Sequence, residues 1–291
     1  MKLKGIKKNN DFRPTFFAFP YLAICIIFVV FPLMLVLFYA FLGPSGVNGF
    51  FDANGKFSFE LFFNSFTFDN FVTVFTSENL ILLLKTIGIA LLTTVICLLI
   101  SYPTALILAS KPFNKYLILA LLFIIPMWMN FVLRVIALKS LLYMIGIEDG
   151  FTATMIGMVY DFLPFMLLPI YTVLMDMDKS YKEASTDLGA NNMTTFFKVT
   201  LPLSLKGIVS GITMVFMPVF SAYAITGMLG DTNTNVFGGK IDGLFVTPST
   251  WGKGSALSFV LLILVFATML LGNLFSKRTA GAKAAAQGGA K

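Results

Sequence analysis

Apolar residues run through this chain in long unbroken blocks, without the intervals of a soluble helix or strand. Six blocks lie near 16–42, 84–110, 114–138, 153–175, 205–228 and 255–276. A helix rises about 1.5 Å per residue, so about 20 apolar residues cross the hydrocarbon core of a bilayer. Every block reaches that length, and the pattern predicts an all-α integral membrane protein with six transmembrane helices. The excess length allows tilt without fixing it.

Between the fourth and fifth blocks the pattern changes. Residues 183–208 form a polar, amphipathic segment inside an otherwise apolar chain. Tyr181, Ala184, Ser185 and Leu188 recur at i, i+3, i+4 and i+7, one face of a short helix. Lys179, Lys182, Glu183 and Thr186 fall elsewhere on the wheel. Gly189 follows the last apolar residue, where a left-handed helix end favours glycine. Asn191-Asn192 suits a turn. A second helical piece starts near Met193, carries Phe196, Phe197 and Val199, and is expected to break at Pro202. Polar helices between spans are where a soluble partner can grip a membrane chain, and small Ala184 and Ser185 permit close approach. The same pattern also suits a helix lying on the bilayer surface.

The connecting loops are less regular. The longest, about 43–83, opens on Gly43-Pro44-Ser45-Gly46, a turn cluster. Asn70 to Leu80 predicts a short interfacial helix with Phe71, Val74 and Phe75 on one face. The loop near 139–152 contains Glu148-Asp149-Gly150, and the loop 229–254 is rich in Gly, Thr and Asn. After Arg278 the sequence is Ala/Gly/Lys low complexity, which predicts disorder. The expected division is an N-terminal arm over 1–15, one transmembrane domain over 16–278 with its polar loop at about 177–204, and a tail over 279–291.

Composition supports the membrane reading, since 57% of the 291 residues are hydrophobic and only 12% are charged. Soluble domains carry about 25% charged residues. Charge then orients the spans. Fifteen Lys and Arg lie in the N-terminal arm, the second and fourth loops and the tail, against Lys56, Lys139, Lys240 and Lys253 on the other side. Positive residues stay cytoplasmic, which predicts that both termini and the 183–208 segment face the cytosol. The net charge of +7 is thus a topology signal, and nucleic acid is not an expected partner. The first block is too long for the apolar core of a cleaved signal peptide and no small-x-small site follows it. Cys25 and Cys97 fall inside spans, where packing is their expected role and no disulfide framework is implied. The sequence has no His and no Cys cluster, which argues against a metal enzyme. It also lacks the phosphate-binding G-x-x-x-x-G-K-[S/T] pattern; Trp251-Gly-Lys-Gly-Ser255 has the wrong spacing.

The polar segment carries a family resemblance. Glu183-Ala184-Ser185, then Gly189, then nine residues, then Val199-Thr200-Leu201-Pro202 resembles the "EAA" signature of ABC importer permeases. The family pattern is E-A-A, three residues, G, nine residues, I, one residue, L-P, and the spacing matches throughout. Ser185 replaces the second Ala and Val199 the Ile, both close in size. Further residues are similar to the polyamine permeases of the first ("B") type: Pro126-Met-Trp-Met-Asn130 with Arg134, Gly157-Met-Val-Tyr160, and Leu163-Pro164-Phe165.

The resemblance implies a type I ABC importer permease fold in a bacterial cell membrane. It further implies a cytosolic ABC ATPase dimer that uses ATP and Mg, a second homologous six-span permease, and an extracytoplasmic polyamine-binding protein. No cofactor or catalysis is expected in this chain. Tyr181, Glu183, Ala184, Ser185, Leu188, Gly189 and Pro202 would couple the spans to the ATPase. Carboxylates and aromatic faces attract polycations, which makes Trp128, Tyr160, Asp161, Phe220 and Tyr223 candidates for the substrate pathway. Asp161 is the carboxylate placed clearly within a span, where burial of charge demands a cavity or a partner; a structural pair with Arg134 is the alternative. The aromatics have packing or an interfacial belt as theirs, and Lys85 is expected to snorkel. The same machine carrying ferric ion or thiamine is the rival cargo reading. A secondary transporter would call for mid-membrane coupling-ion sites, and an enzyme for a nucleophile–base or metal constellation.

Overall fold

The computed structural model describes residues 15–46, 50, 56, 58–110, 123, 125–231 and 234–288. Among them the chain is helical, with one isolated bridge between Leu42 and Phe66. Five helical stretches are long and apolar enough to cross a membrane: Pro20–Ala40, Ser77–Ala109, Phe151–Met175, Asn192–Val219 and Pro248–Leu270.

The first stretch comprises α1 (Thr15–Cys25) and α2 (Phe31–Ala40), joined by a π-helical turn at Ile26–Val30. Its central side chains are exposed, Phe28 at 73% and Met34 at 64%, as suits a helix solvated by lipid. Only its end is buried. Asn70, in α4 (Asp69–Val74), donates through Nδ2 to the carbonyls of Ala40 and Leu42 at 3.0 and 2.6 Å. The loop between the first two spans also holds α3 (Phe59–Asn64). The helix expected over Asn70–Leu80 is therefore two elements, because α4 ends at Val74 and the next helix starts at Ser77.

Three helices make the core: α5 (Ser77–Ala109), α7 (Phe151–Met175) and α10 (Leu201–Val219). Cys97, Met158, Met166, Ile170 and Val215 are fully buried among them. Lipid tails are as apolar as Leu, so close packing and interhelical hydrogen bonds hold such helices together. Small residues on α5 supply both. Thr93 donates to the Met158 sulfur at 3.8 Å, Cys97 to the Val159 carbonyl at 3.8 Å, and Ser101 to the Leu163 carbonyl at 3.3 Å. Residue numbers rise together on both helices, so α5 and α7 run parallel. The chain between Ala109 and Phe151 must therefore return along the length of the pair.

Part of that return is visible. Of the predicted span 114–138, residues 114–122 and 124 lie outside the described residues. The remainder is not one helix. A helical turn ends at Met129, and α6 (Phe131–Met144) starts afresh. Asn130 causes the break: its Oδ1 accepts from the amides of Val132 and Leu133 at 2.9 and 3.4 Å, capping the new helix.

α10 crosses α7 on glycines. A Cβ at Gly207 would lie 2.7 Å from the Pro169 carbonyl oxygen, and one at Gly211 would lie 2.7 Å from the Met166 sulfur. The pair is a small-xxx-small stripe of the kind that lets membrane helices touch backbone to backbone. Gly207→Ala should cost about 1–3 kcal/mol through overpacking. Gly227→Ala, where a Cβ meets nothing within 4 Å, serves as the control. Thermal unfolding in detergent separates the two.

Two predicted boundaries move. The fifth span, expected over 205–228, ends at Val219; the chain turns at Phe220–Ala222 and resumes as α11 (Tyr223–Leu229). Pro218 lies just before the turn, and its carbonyl takes bonds from the Ser221 amide and hydroxyl, both at 3.0 Å. Beyond it, α12 (Phe237–Phe245) is pinned to α5 by the Phe237 amide, which donates to the buried Thr86 hydroxyl at 2.8 Å. The last helix, α13, runs from Trp251 to Gly288, into the tail expected to be disordered. Ala280, Ala282 and Ala284 to Ala286 explain this, alanine being the strongest helix former.

Candidate functional site

The polar loop folds as a helix, a glycine turn and a second helix. The first is α8 (Ser180–Asp187). Just before it, Asp178 accepts the Ser180 amide at 2.9 Å, and the hydrogen bonds from Ser180 hold its carboxyl below the usual range. At the other end Leu188 leads into Gly189, whose φ is +79°. The Gly189 amide donates to the Thr186 carbonyl at 2.9 Å and the Ala190 amide to the Ser185 carbonyl at 3.1 Å. That pair of bonds is a complete Schellman ending, as the position of Gly189 in the sequence predicts.

The chain then reverses. Asn191 caps the next helix, α9 (Asn192–Thr195), accepting the Thr194 amide at 2.8 Å. Ser185 and Thr195 share a hydroxyl–hydroxyl bond of 2.9 Å that ties the two helices together. Ser185 is thus a staple, whereas its size alone suggested a contact surface. The break expected at Pro202 does not occur. α9 passes through a π-helical turn, Phe196–Thr200, straight into α10, and Pro202 occupies the first turn of that helix. A proline lacks the amide and crowds the carbonyl four residues back, and a widened turn relieves both faults. Pro32 follows the π turn of the first span in the same way.

No residue of α8 is buried. Tyr181 is half exposed and Leu188 is 88% exposed, a full two turns apart on one side. Glu183 and Ala184 are exposed as well. A helix so weakly covered by its own chain, yet rigidly terminated and stapled, presents a firm surface with two apolar projections. The coupling candidates thereby converge on one substructure, except Pro202, which belongs to the membrane helix behind it.

The candidate pathway residues do not converge. Asp161 is buried, and Arg134, equally buried, donates to its Oδ1 through one terminal nitrogen. The other terminal nitrogen of Arg134 donates to the Pro126 carbonyl at 2.6 Å, tying α6 to the turn before Asn130. This pair satisfies the structural alternative for Asp161. Phe220 is 1% exposed and packs edge-on against Phe216, a core position. Trp128, Tyr160 and Tyr223 are exposed. Trp128 precedes the break at Asn130, and Tyr160 borders a shallow apolar groove between α5 and α7.

Tyr223 borders a different cavity, of about 350 Å³, between the turn after α10, α12 and α13. Asp242 lies on its wall. Asp242 was not singled out from the sequence, because the loop 229–254 reads there as irregular. The missed signal is the spacing of Phe237, Ile241 and Leu244, which marks a short amphipathic helix carrying that carboxylate. Groups of three or more metal-ligating side chains are absent among the described residues.

Known proteins share this fold. A bacterial alginate ABC transporter superposes with a TM-score of 0.63 at 16% identity, over 91% of this chain and 93% of the other. The MetNI methionine ABC transporter superposes with a TM-score of 0.56 at 18% identity, over 70% and 99%. In sequence, the spermidine/putrescine transport system permease protein PotB of Haemophilus influenzae is 35% identical over 190 residues. That stretch is 59% of this chain and 66% of the relative. PotB of Escherichia coli is 32% identical over 195 residues, 61% of this chain and 70% of the relative. Residues 91–281, which contain the whole helix–glycine–helix loop, match the family described as "Binding-protein-dependent transport system inner membrane component". The chain belongs to that family of transport-system membrane components.

Proposed function

We propose that this chain is the permease subunit of an ABC importer for polyamines such as spermidine and putrescine. The observation that carries the reading is the exposed, rigidly capped α8 set between two membrane helices. In this reading Tyr181, Glu183, Ala184, Ser185, Leu188 and Gly189 form or shape the surface that seats in a cytosolic ATPase, where ATP and Mg are bound. Pro202 and the turn before it carry its movement into the bilayer. The polyamine assignment is supported by the similarity to the two spermidine/putrescine permeases.

Six spans with both termini in the cytosol of a bacterial cell complete the proposal. The cation count of the loops supports that orientation, and the parallel run of α5 and α7 supports a third crossing between them. The transmembrane domain would cover residues 16–278, flanked by short cytosolic ends. A second six-span permease would close the other side of the pathway, and an extracytoplasmic binding protein would deliver the polyamine. ATP binding would draw the two ATPase subunits together, drag α8 with them and rock the attached helices.

Reconstitution tests this. The chain, its partner permease, the ATPase and the binding protein are placed in proteoliposomes, and ATP hydrolysis is measured with the binding protein loaded or empty. Spermidine-loaded binding protein should stimulate hydrolysis and uptake. Stimulation by another solute, such as ferric ion or thiamine, with none by any polyamine would overturn the cargo assignment.

A further inference from the structure

The cavity beside Tyr223 combines aromatic, apolar and acidic side chains in its walls. Its walls are Tyr223, Phe245 and one face of α13, on which Ser258, Leu261 and Val265 stand at i, i+3 and i+7. That face runs about 10 Å along the helix at 1.5 Å per residue. Asp242, on α12, is the one carboxylate residue lining this mainly apolar and aromatic trough, beside the hydroxyl residues Ser221 and Ser258. Asp242 has no hydrogen-bond or ion-pair partner among the described residues. The nearby Lys240 does not neutralise it, being paired with Glu78 on α5.

A trough of this kind selects its ligand by chemistry. A carboxylate holds an ammonium group, aromatic faces hold the same group by cation–π attraction, and the apolar wall accepts a run of methylenes. A small inorganic cation would leave the wall unused, and a neutral sugar would leave the carboxylate unused. A linear alkyl polyamine uses all three. From these features we infer that Asp242, with Tyr223 and Phe245, forms a binding subsite for one ammonium end of a linear polyamine, whose methylenes lie along α13. The inference rests on the proposed transport function, and Ser258 to Val265 place the subsite within the span Pro248–Leu270 rather than at its end. It replaces Asp161, which Arg134 occupies.

The test uses the complete transporter in proteoliposomes with spermidine as the probe. The readout is spermidine taken up per ATP hydrolysed, which general loss of folded protein does not alter. Asp242→Asn should lower that ratio about tenfold, equivalent to about 1.4 kcal/mol, and Asp242→Glu should recover most of it. A ratio unchanged in Asp242→Asn overturns the subsite while leaving polyamine transport standing. Loss of assembled complex in both variants, seen by size-exclusion chromatography, also overturns it, because the carboxylate would then be holding a cation of the second permease. If the parent transporter carries no spermidine, the proposed function fails and the subsite falls with it.

Discussion

Gly189→Pro should take transport to the background of liposomes without the permease, while the chain still inserts at normal abundance. Three faults coincide. Proline fixes φ near −65°, and residue 189 sits at +79°. Its missing amide removes the bond to the Thr186 carbonyl. Its ring also disfavours the helical geometry of the preceding residue, and Leu188 ends α8 at φ −78° and ψ 6°. The Schellman ending is lost, and with it the angle between α8 and α9. Membrane insertion does not depend on that angle, since the apolar blocks are untouched. Gly189→Ala retains the amide and carries only a left-handed strain of about 1 kcal/mol, so it should retain part of the transport. Uptake normalised to membrane abundance measures both. Transport by Gly189→Pro equal to the parent's would remove α8 from the coupling path.

Arg134→Leu should be the most destabilising single change in the membrane domain. It leaves the Asp161 carboxylate buried without its cation and frees the Pro126 carbonyl, so α6 loses its tie to the turn before Asn130. Removing one partner of a buried pair costs about 3–5 kcal/mol. The double change Arg134→Leu with Asp161→Leu removes both charges and should regain most of that loss, because the pair itself contributes little beyond its own desolvation. Thermal unfolding of the detergent-solubilised single and double variants gives the coupling directly. Equal losses in the two would show that Arg134 acts through its aliphatic stem or the Pro126 contact rather than through charge.

Much of the polar loop can be read from residues 181–202, because soluble-type rules apply there. Apolar spacing and a helix-ending glycine each have one physical meaning in water, whereas Asn191, which reads as a turn residue, is in the structure the cap of α9. The spans are harder. When lipid replaces water, both faces of a helix are apolar, and periodicity no longer says which one is buried. Phe220 and Tyr223 look equivalent in sequence, yet one is core and the other borders an open cavity. Breaks inside apolar blocks were hidden for a related reason. Asn130 and the turn after Pro218 act through a pair of local hydrogen bonds each, which a hydropathy window averages away. Signals of a different kind were present: Thr93, Cys97 and Ser101 at four-residue spacing, and Gly207 and Gly211 likewise, mark the contact faces of α5 and α10.

The π turn at Phe196–Thr200 amounts to one extra residue wound into an otherwise α-helical rod. In an α-helix each residue turns the rod by about 100°. The turn therefore sets the phase of the whole assembly: it decides which compass direction Tyr181 and Leu188 face once the glycines of α10 are locked against α7. A proline that looked like a stop signal is, in this chain, a key that clocks the polar helix to the membrane bearing.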